Sequence, residues 1–256
     1  MKTLHPLSLL IALALSVCLI ACDDDDPVGN GTTADLQVDF AGSVLGEPAA
    51  LESETFPASS VAEGFRLTRA SFYLSDLRLV EDAGGQRLET PLSEVEYILL
   101  GPDGEASATF GQVPYGNYSA LRFNLGLTAE QDASVPEDYA SGTPLSRAEE
   151  YWRDWGSYIF LKIEGKSDTL ADGNPRYDAA FVYHVGKSAE LAREVELPLS
   201  LDVDDATERL GIGVDVGKLL DLDGDSPQPL KRVADHNNRT GPTIMANAQR
   251  AFSVDE

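Results

Sequence analysis

Apolar and polar residues alternate at period two in several stretches: Leu36, Val38 and Phe40; Phe65 and Leu67; Leu197, Leu199, Leu201 and Val203. Successive side chains of a strand point to opposite faces, so this spacing predicts half-buried strands. Further strands are predicted at Arg69–Val80, Glu94–Leu100, Ser107–Gln112, Ser119–Leu127, Ser157–Glu164, Ala179–Val185 and Leu210–Val216. Turn chemistry separates them at Gly84-Gly85, Gly101-Pro102-Asp103-Gly104, Pro114-Tyr115-Gly116-Asn117 and Asp172-Gly173-Asn174-Pro175. Helical periodicity is scarce. The pattern predicts an all-β fold, a two-sheet antiparallel β-sandwich with long loops, connected by hairpins and Greek keys rather than βαβ units. One excursion, Thr128–Arg153, is rich in Glu, Asp, Ser and Pro, with a helical turn expected near Ser146–Glu150. Loops of that length are commonly functional or disordered. No internal repeat or linker divides the rest.

The N-terminus changes the picture. A charged start, Met1-Lys2, precedes an apolar run from Leu7 to Ile20, which reads as a signal peptide over residues 1–21. The run is too short to span a bilayer comfortably. It ends in Leu19-Ile20-Ala21-Cys22, which fits the lipobox of bacterial lipoproteins, so cleavage is expected to leave Cys22 as a lipidated N-terminus. Residues 22–34, with four consecutive aspartates, Gly and Pro, read as a disordered tether to a folded domain at 35–256. The expected location is the cell envelope, on its periplasmic or cell-surface side, with the lipid alone touching the membrane. Cys18 leaves with the signal peptide and Cys22 is capped, so the mature domain offers no thiolate for metal or disulfide.

The chain carries 43 Asp and Glu against 19 Lys and Arg. That excess argues against nucleic acid and against an anionic membrane face as direct partners. A solvated acidic surface is its simplest meaning.

Catalytic signatures are absent: there is no Gly-x-Ser-x-Gly elbow, phosphate-binding loop or dinucleotide fingerprint, and no nucleophile can be paired with a base. An enzyme is therefore not expected. The mature histidines are His184 and His236, too few for a three-histidine zinc centre. His184 ends a predicted strand and His236 sits in a polar loop, so each alone reads as an ordinary hydrogen-bonded or solvated side chain. Trp152 and Trp155 crowd the end of the long excursion, where packing or an anchored lid is the simplest role and an oxidisable or cation-facing site the other. Asp221, Asp223 and Asp225 alternate around Gly224 as oxygen-seeking calcium requires, although the distal glutamate of an EF-hand is missing; an acidic turn is the competing reading. Met245 adds a thioether that also suits a core.

Taken in order, these segments resemble the MbnP-like copper-binding family. The carriers are Arg66–Leu79 with its Tyr73-Leu74-Ser75 run, Pro114–Tyr118 followed by Leu121–Gly126, Tyr151-Trp152 leading into Tyr158–Gly165, and Phe181-Val182-Tyr183-His184-Val185-Gly186. Ile212–Val216 with Leu219-Leu220, and Ala246-Asn247 with Phe252–Val254, complete the order. The resemblance implies a secreted β-sandwich binding copper through histidine. In some members it also implies a tryptophan oxidised to a kynurenine-type residue by a di-haem, MauG-like partner enzyme. Carried over, His184 and His236 become the expected copper ligands and Trp152 the expected site-lining aromatic. The family's second tryptophan follows after a single residue, whereas Trp155 lies three positions on. Imidazole nitrogens suffice for Cu(I) or Cu(II) without thiolate. The alternative is a non-catalytic scaffold or surface-interaction module without metal.

Overall fold

A computed structural model describes residues 32–58, 64–174, 176–236 and 238–255. The expected signal peptide, Cys22 and most of the tether lie outside the described residues. The strands are β1 (Thr33–Val44), β2 (Glu47–Pro48), β3 (Phe65–Ala83), β4 (Gln86–Leu99), β5 (Glu105–Pro114), β6 (Gly116–Leu125) and β7 (Tyr151–Trp152). They continue with β8 (Ser157–Ser167), β9 (Ala179–Gly186), β10 (Arg193–Val203), β11 (Thr207–Asp215), β12 (Val233–Asp235) and β13 (Phe252–Asp255). The four predicted turns fall between β3 and β4, β4 and β5, β5 and β6, and β8 and β9. The described helices are short, the longest being Gly241–Ala246. None is long and apolar enough to cross a membrane.

Two sheets result. One runs β13-β11-β1-β2 with β5 also on β1; the other runs β10-β6-β3-β8-β9-β12, with β4 on β3 and β7 on β8. β3 spans 19 residues, long enough to pair with β8 along Phe65–Phe72, β6 along Leu74–Val80 and β4 along Ser71–Ala83. The β1 alternation does what its pattern dictates: Leu36, Val38 and Phe40 are buried between the sheets. Removing such a side chain from water is worth about 1.5–3 kcal/mol each. Phe40 meets Phe72 edge-on across the interface, and Phe252 of β13 packs against Phe72 and Phe123.

The mostly β, two-sheet prediction holds, but the sheets are not purely antiparallel. β1 pairs with β11 in parallel, and β12 pairs with β9 in parallel. Hairpins force antiparallel neighbours, whereas strands separated by long stretches of chain carry no such constraint. The second parallel pair builds the site described below.

The excursion is ordered. Thr128 caps a helical turn at Ala129–Asp132 through its hydroxyl, and tight turns follow at Pro136–Asp138, Pro144–Ser146 and Ala148–Glu150. It packs on the outer face of the larger sheet over a second core of Tyr73, Leu127, Leu145, Tyr158 and Phe160. The two buried phenols find acceptors in it, Tyr73 Oη donating to the Pro144 carbonyl at 3.1 Å and Tyr158 Oη to that of Leu145 at 2.7 Å.

Candidate metal site

The parallel register of β12 on β9 places Asp235 beside Tyr183. One residue further, His236 therefore comes beside His184, on the face away from the core. Asp235 is buried, and its carboxylate accepts hydrogen bonds from the backbone N–H groups of Arg239 and Thr240 and from the Thr240 hydroxyl, fixing the loop that follows His236. The Nδ1 atoms of His184 and His236 are 3.1 Å apart. The rings cross at 63°.

The opposite nitrogen of His184 is also held. Its Nε2 lies 2.8 Å from Oε1 of Glu164 on the neighbouring strand β8. An ionised carboxylate only accepts, so Nε2 carries a proton and Nδ1 is the atom turned to His236. The hydrogen bond from His184 holds the Glu164 carboxyl below its ordinary range, helped by the charges of His184, Arg69 and Lys162 and opposed by burial. His236 is pushed below the ordinary histidine value by burial and by the neighbouring His184, against the pull of Asp235 and Glu164. His236 thus favours its neutral ring, the form that ligates metal. Gly165, next to Glu164, has no room for a side chain: a Cβ would strike the Phe181 ring and the Arg66 carbonyl oxygen.

Tryptophan supplies the lid. β7 pairs with the start of β8, Trp152 opposite Ser157, and the chain reverses through Arg153–Gly156 with Gly156 at φ 62°. The N–H groups of Trp155 and Gly156 both donate to the Trp152 carbonyl at 3.0 Å. A three-residue spacing is what this turn needs to bring Trp155 back over Trp152, the rings stacking at 5.1 Å and 20°. The other neighbour of Trp152 is His236, at 5.1 Å, with His184 at 6.1 Å. Trp155, Trp152 and the two imidazoles form one aromatic stack.

An ion network fastens this lid to the sheet. Glu150, two residues before Trp152, is fully buried; its Oε1 accepts from Arg69 Nη2 at 2.7 Å and Tyr97 Oη at 2.7 Å, and its Oε2 lies 2.8 Å from Lys162 Nζ. Lys162 stands opposite His184 across the β8/β9 pair, and Arg69 opposite Glu164 across β3/β8. Two anions and two cations therefore tie the histidine strand to the tryptophan lid. Sequence reasoning missed both glutamates. Glu164 had a signal in the Glu164-Gly165 end of its motif; Glu150 had none among so many carboxylates.

The aspartate turn is built differently. Arg250 reaches between its side chains, pairing with Asp221 and, at 2.8 Å, with Asp223, while Asp225 is exposed. Met245 is in the core and does not face the histidines. Among the described residues no group of three or more His, Cys, Asp and Glu side chains converges as a metal cage. Two nitrogens 3.1 Å apart nevertheless fit a shared ion, since bonds near ~2 Å span nitrogens up to about 4 Å apart.

The comparisons agree with this architecture. The family model described as MbnP matches residues 33–245. The solved structure of MbnP from Methylosinus trichosporium is similar, with a TM-score of 0.51 and 18% identity over 87% of this chain and 98% of that one. At that identity the likeness speaks for the fold. Among curated proteins, none matches.

Proposed function

The chain belongs to the MbnP family, and from that premise we propose that it is a lipid-anchored copper-binding protein of the cell envelope, with His184 and His236 as the ligands. The family is non-catalytic, and its membership supports an envelope-side, secreted protein. The observation that carries the copper reading is the facing of two Nδ1 atoms at 3.1 Å with a carboxylate behind one of them. Carboxylate–imidazole pairs of this kind orient and enrich metal-binding histidines. When bound, copper would supply a soft, redox-active centre under the Trp152 face. The chain's own residues have simpler tasks: Glu164 fixes the His184 tautomer, Asp235 fixes the His236 loop, and the tryptophans limit water. Cys22 is proposed as the lipidated anchor. A di-haem, MauG-like enzyme is the proposed partner for oxidation of a tryptophan.

A second reading, the non-catalytic β-sandwich scaffold or interaction module without metal, is favoured by one observation: the described residues offer two converging imidazoles and no third ligand group. On donor count alone it is the better supported of the two. Copper titration separates them. The protein is expected to bind near one copper, and a His184→Ala, His236→Ala double variant to lose it by two orders of magnitude or more; equal binding by that variant would sink the histidine site. Intact mass of protein from the native host tests tryptophan oxidation, an unmodified mass removing the di-haem partner.

A further inference from the structure

Elsewhere on the outer face of the larger sheet, the local charge opposes that of the chain. Arg66 on β3 stands opposite Lys166 on β8, two residues beyond Glu164. With Thr68, Glu52, Arg176 and Tyr177 they line a recess of about 230 Å³. Elsewhere arginines are neutralised by carboxylates, Arg78 by Asp76 and Glu89 and Arg250 by Asp221 and Asp223. Arg66 is held by neutral groups instead. Its Nε donates to Thr55 Oγ1 at 3.0 Å, its Nη1 to the Glu52 carbonyl at 3.2 Å, and its guanidinium lies 4.0 Å over the Tyr177 ring. These contacts fix its position, and among the described residues no carboxylate pairs with it. The Lys166 side chain makes no ion pair or hydrogen bond among the described residues.

The wall of the recess is braced. Tyr177 sits at φ 44°, a left-handed conformation that an aromatic residue avoids, and is held by its hydroxyl 2.6 Å from Thr55 Oγ1 and by the stacked Arg66. Buried Asp168 pins the same loop by accepting the backbone N–H groups of Leu170 at 3.0 Å and Arg176 at 2.7 Å. Strain of this kind persists where the surrounding structure over-determines it, commonly at ligand clamps. Arg176 itself is paired with Asp172 at the rim.

We propose that this recess is an oxyanion site that takes a phosphate or sulfate group, with Lys166 and Arg66 as its charged donors. Among the described residues the guanidinium Nη2 and the three ammonium protons have no partner, and together they are the donor set that recognises such oxygens. The Glu52 side chain lines the same recess and opposes an anion, which gives the proposal an internal sign. The phosphate could be free or part of a lipid headgroup, and the test distinguishes them.

Inorganic phosphate and sulfate are titrated onto the full chain at low ionic strength, following amide shifts, and vesicles of phosphatidylglycerol or phosphatidylcholine are co-sedimented in parallel. Saturable shifts at Lys166, Thr68 and Tyr177 are expected, weakened about tenfold by Lys166→Gln and strengthened by Glu52→Gln, both exposed substitutions that spare the core. Saturation by the free ions identifies a small anion as the ligand. Vesicle binding that Lys166→Gln abolishes, without saturation by free ions, identifies a headgroup. No saturation up to about 10 mM together with no Lys166-dependent vesicle binding overturns the proposal, as does an affinity equal in both variants.

Discussion

Two places in this chain gather groups that could attract a cation, and they differ in what lies between the donors. At the aspartate turn, Arg250 already fills the gap between Asp221 and Asp223. At the histidine pair nothing of the chain intervenes: Nδ1 faces Nδ1, and the neighbouring cations Arg69 and Lys162 are turned away toward Glu150. A carboxylate cluster in a folded protein invites an internal arginine, because unpaired like charges repel. Two imidazoles carry no such penalty: one Nδ1 donates its proton to the lone pair of the other at 3.1 Å, in the place a metal ion would take.

The sharpest way to break the contrast is to release the cations. Glu150→Ala strands Arg69 and Lys162 beside the histidines with no buried anion, and a loss of about 3–5 kcal/mol in urea unfolding is expected. The variant should also loosen the Trp152 lid, seen as a shift in tryptophan emission; unchanged stability would mean that the network does not anchor it. Removing the carboxylate behind His184 is gentler. Glu164→Gln is expected to weaken copper about 10–100-fold in competition titrations while leaving the fold intact, and an unchanged affinity would deny Glu164 its orienting role.

Acidity probes the pair without mutation. Since the folded-state pKa of His236 lies below its ordinary value of 6.5, the stability it contributes is complete above 6.5 and is lost as pH falls through the lowered value. Glu164 behaves likewise about a lower range: with its folded pKa depressed, its contribution holds above the ordinary 4.5 and disappears as pH falls through the folded value. Denaturation at stepped pH should therefore show a first loss just under 6.5, absent in His236→Ala. The smallest effect belongs to the aspartate turn. Arg250→Gln breaks two partly exposed ion pairs, with Asp221 and Asp223, and is expected to cost roughly 1 kcal/mol. The wild-type melting temperature is expected to be the same in calcium and in chelator, because Arg250 holds the place a cation would take; a calcium-dependent rise would reverse the comparison.

Much of the fold was readable from local pattern. The β1 alternation predicted its buried face, and Gly84-Gly85 marked the β3/β4 hairpin, because pleating and turn sterics act over a few residues. The early half of β4, Gln86–Ser93, went unseen: its exposed face follows the polar edge of β3 and carries no clear alternation. β12 was missed because three residues are too few to show a period. The tryptophan spacing departs from the family's, and the turn at Gly156, invisible in the pattern, is what stacks the two rings at that spacing.

Residue identity alone settled which chemistry the chain after residue 22 offers: two imidazoles, no cysteine, an acidic composition and strands enough for two sheets. Whether those imidazoles meet was decided by the parallel docking of β12 on β9, which joins residues 52 apart in the chain. Their electrostatics were decided by Glu164, marked in sequence only by its place before Gly165, and by Glu150, indistinguishable there from the many other carboxylates. Period and turn chemistry are short-range properties of the backbone, whereas ligand convergence is a long-range consequence of strand order. No window of sequence contains that order.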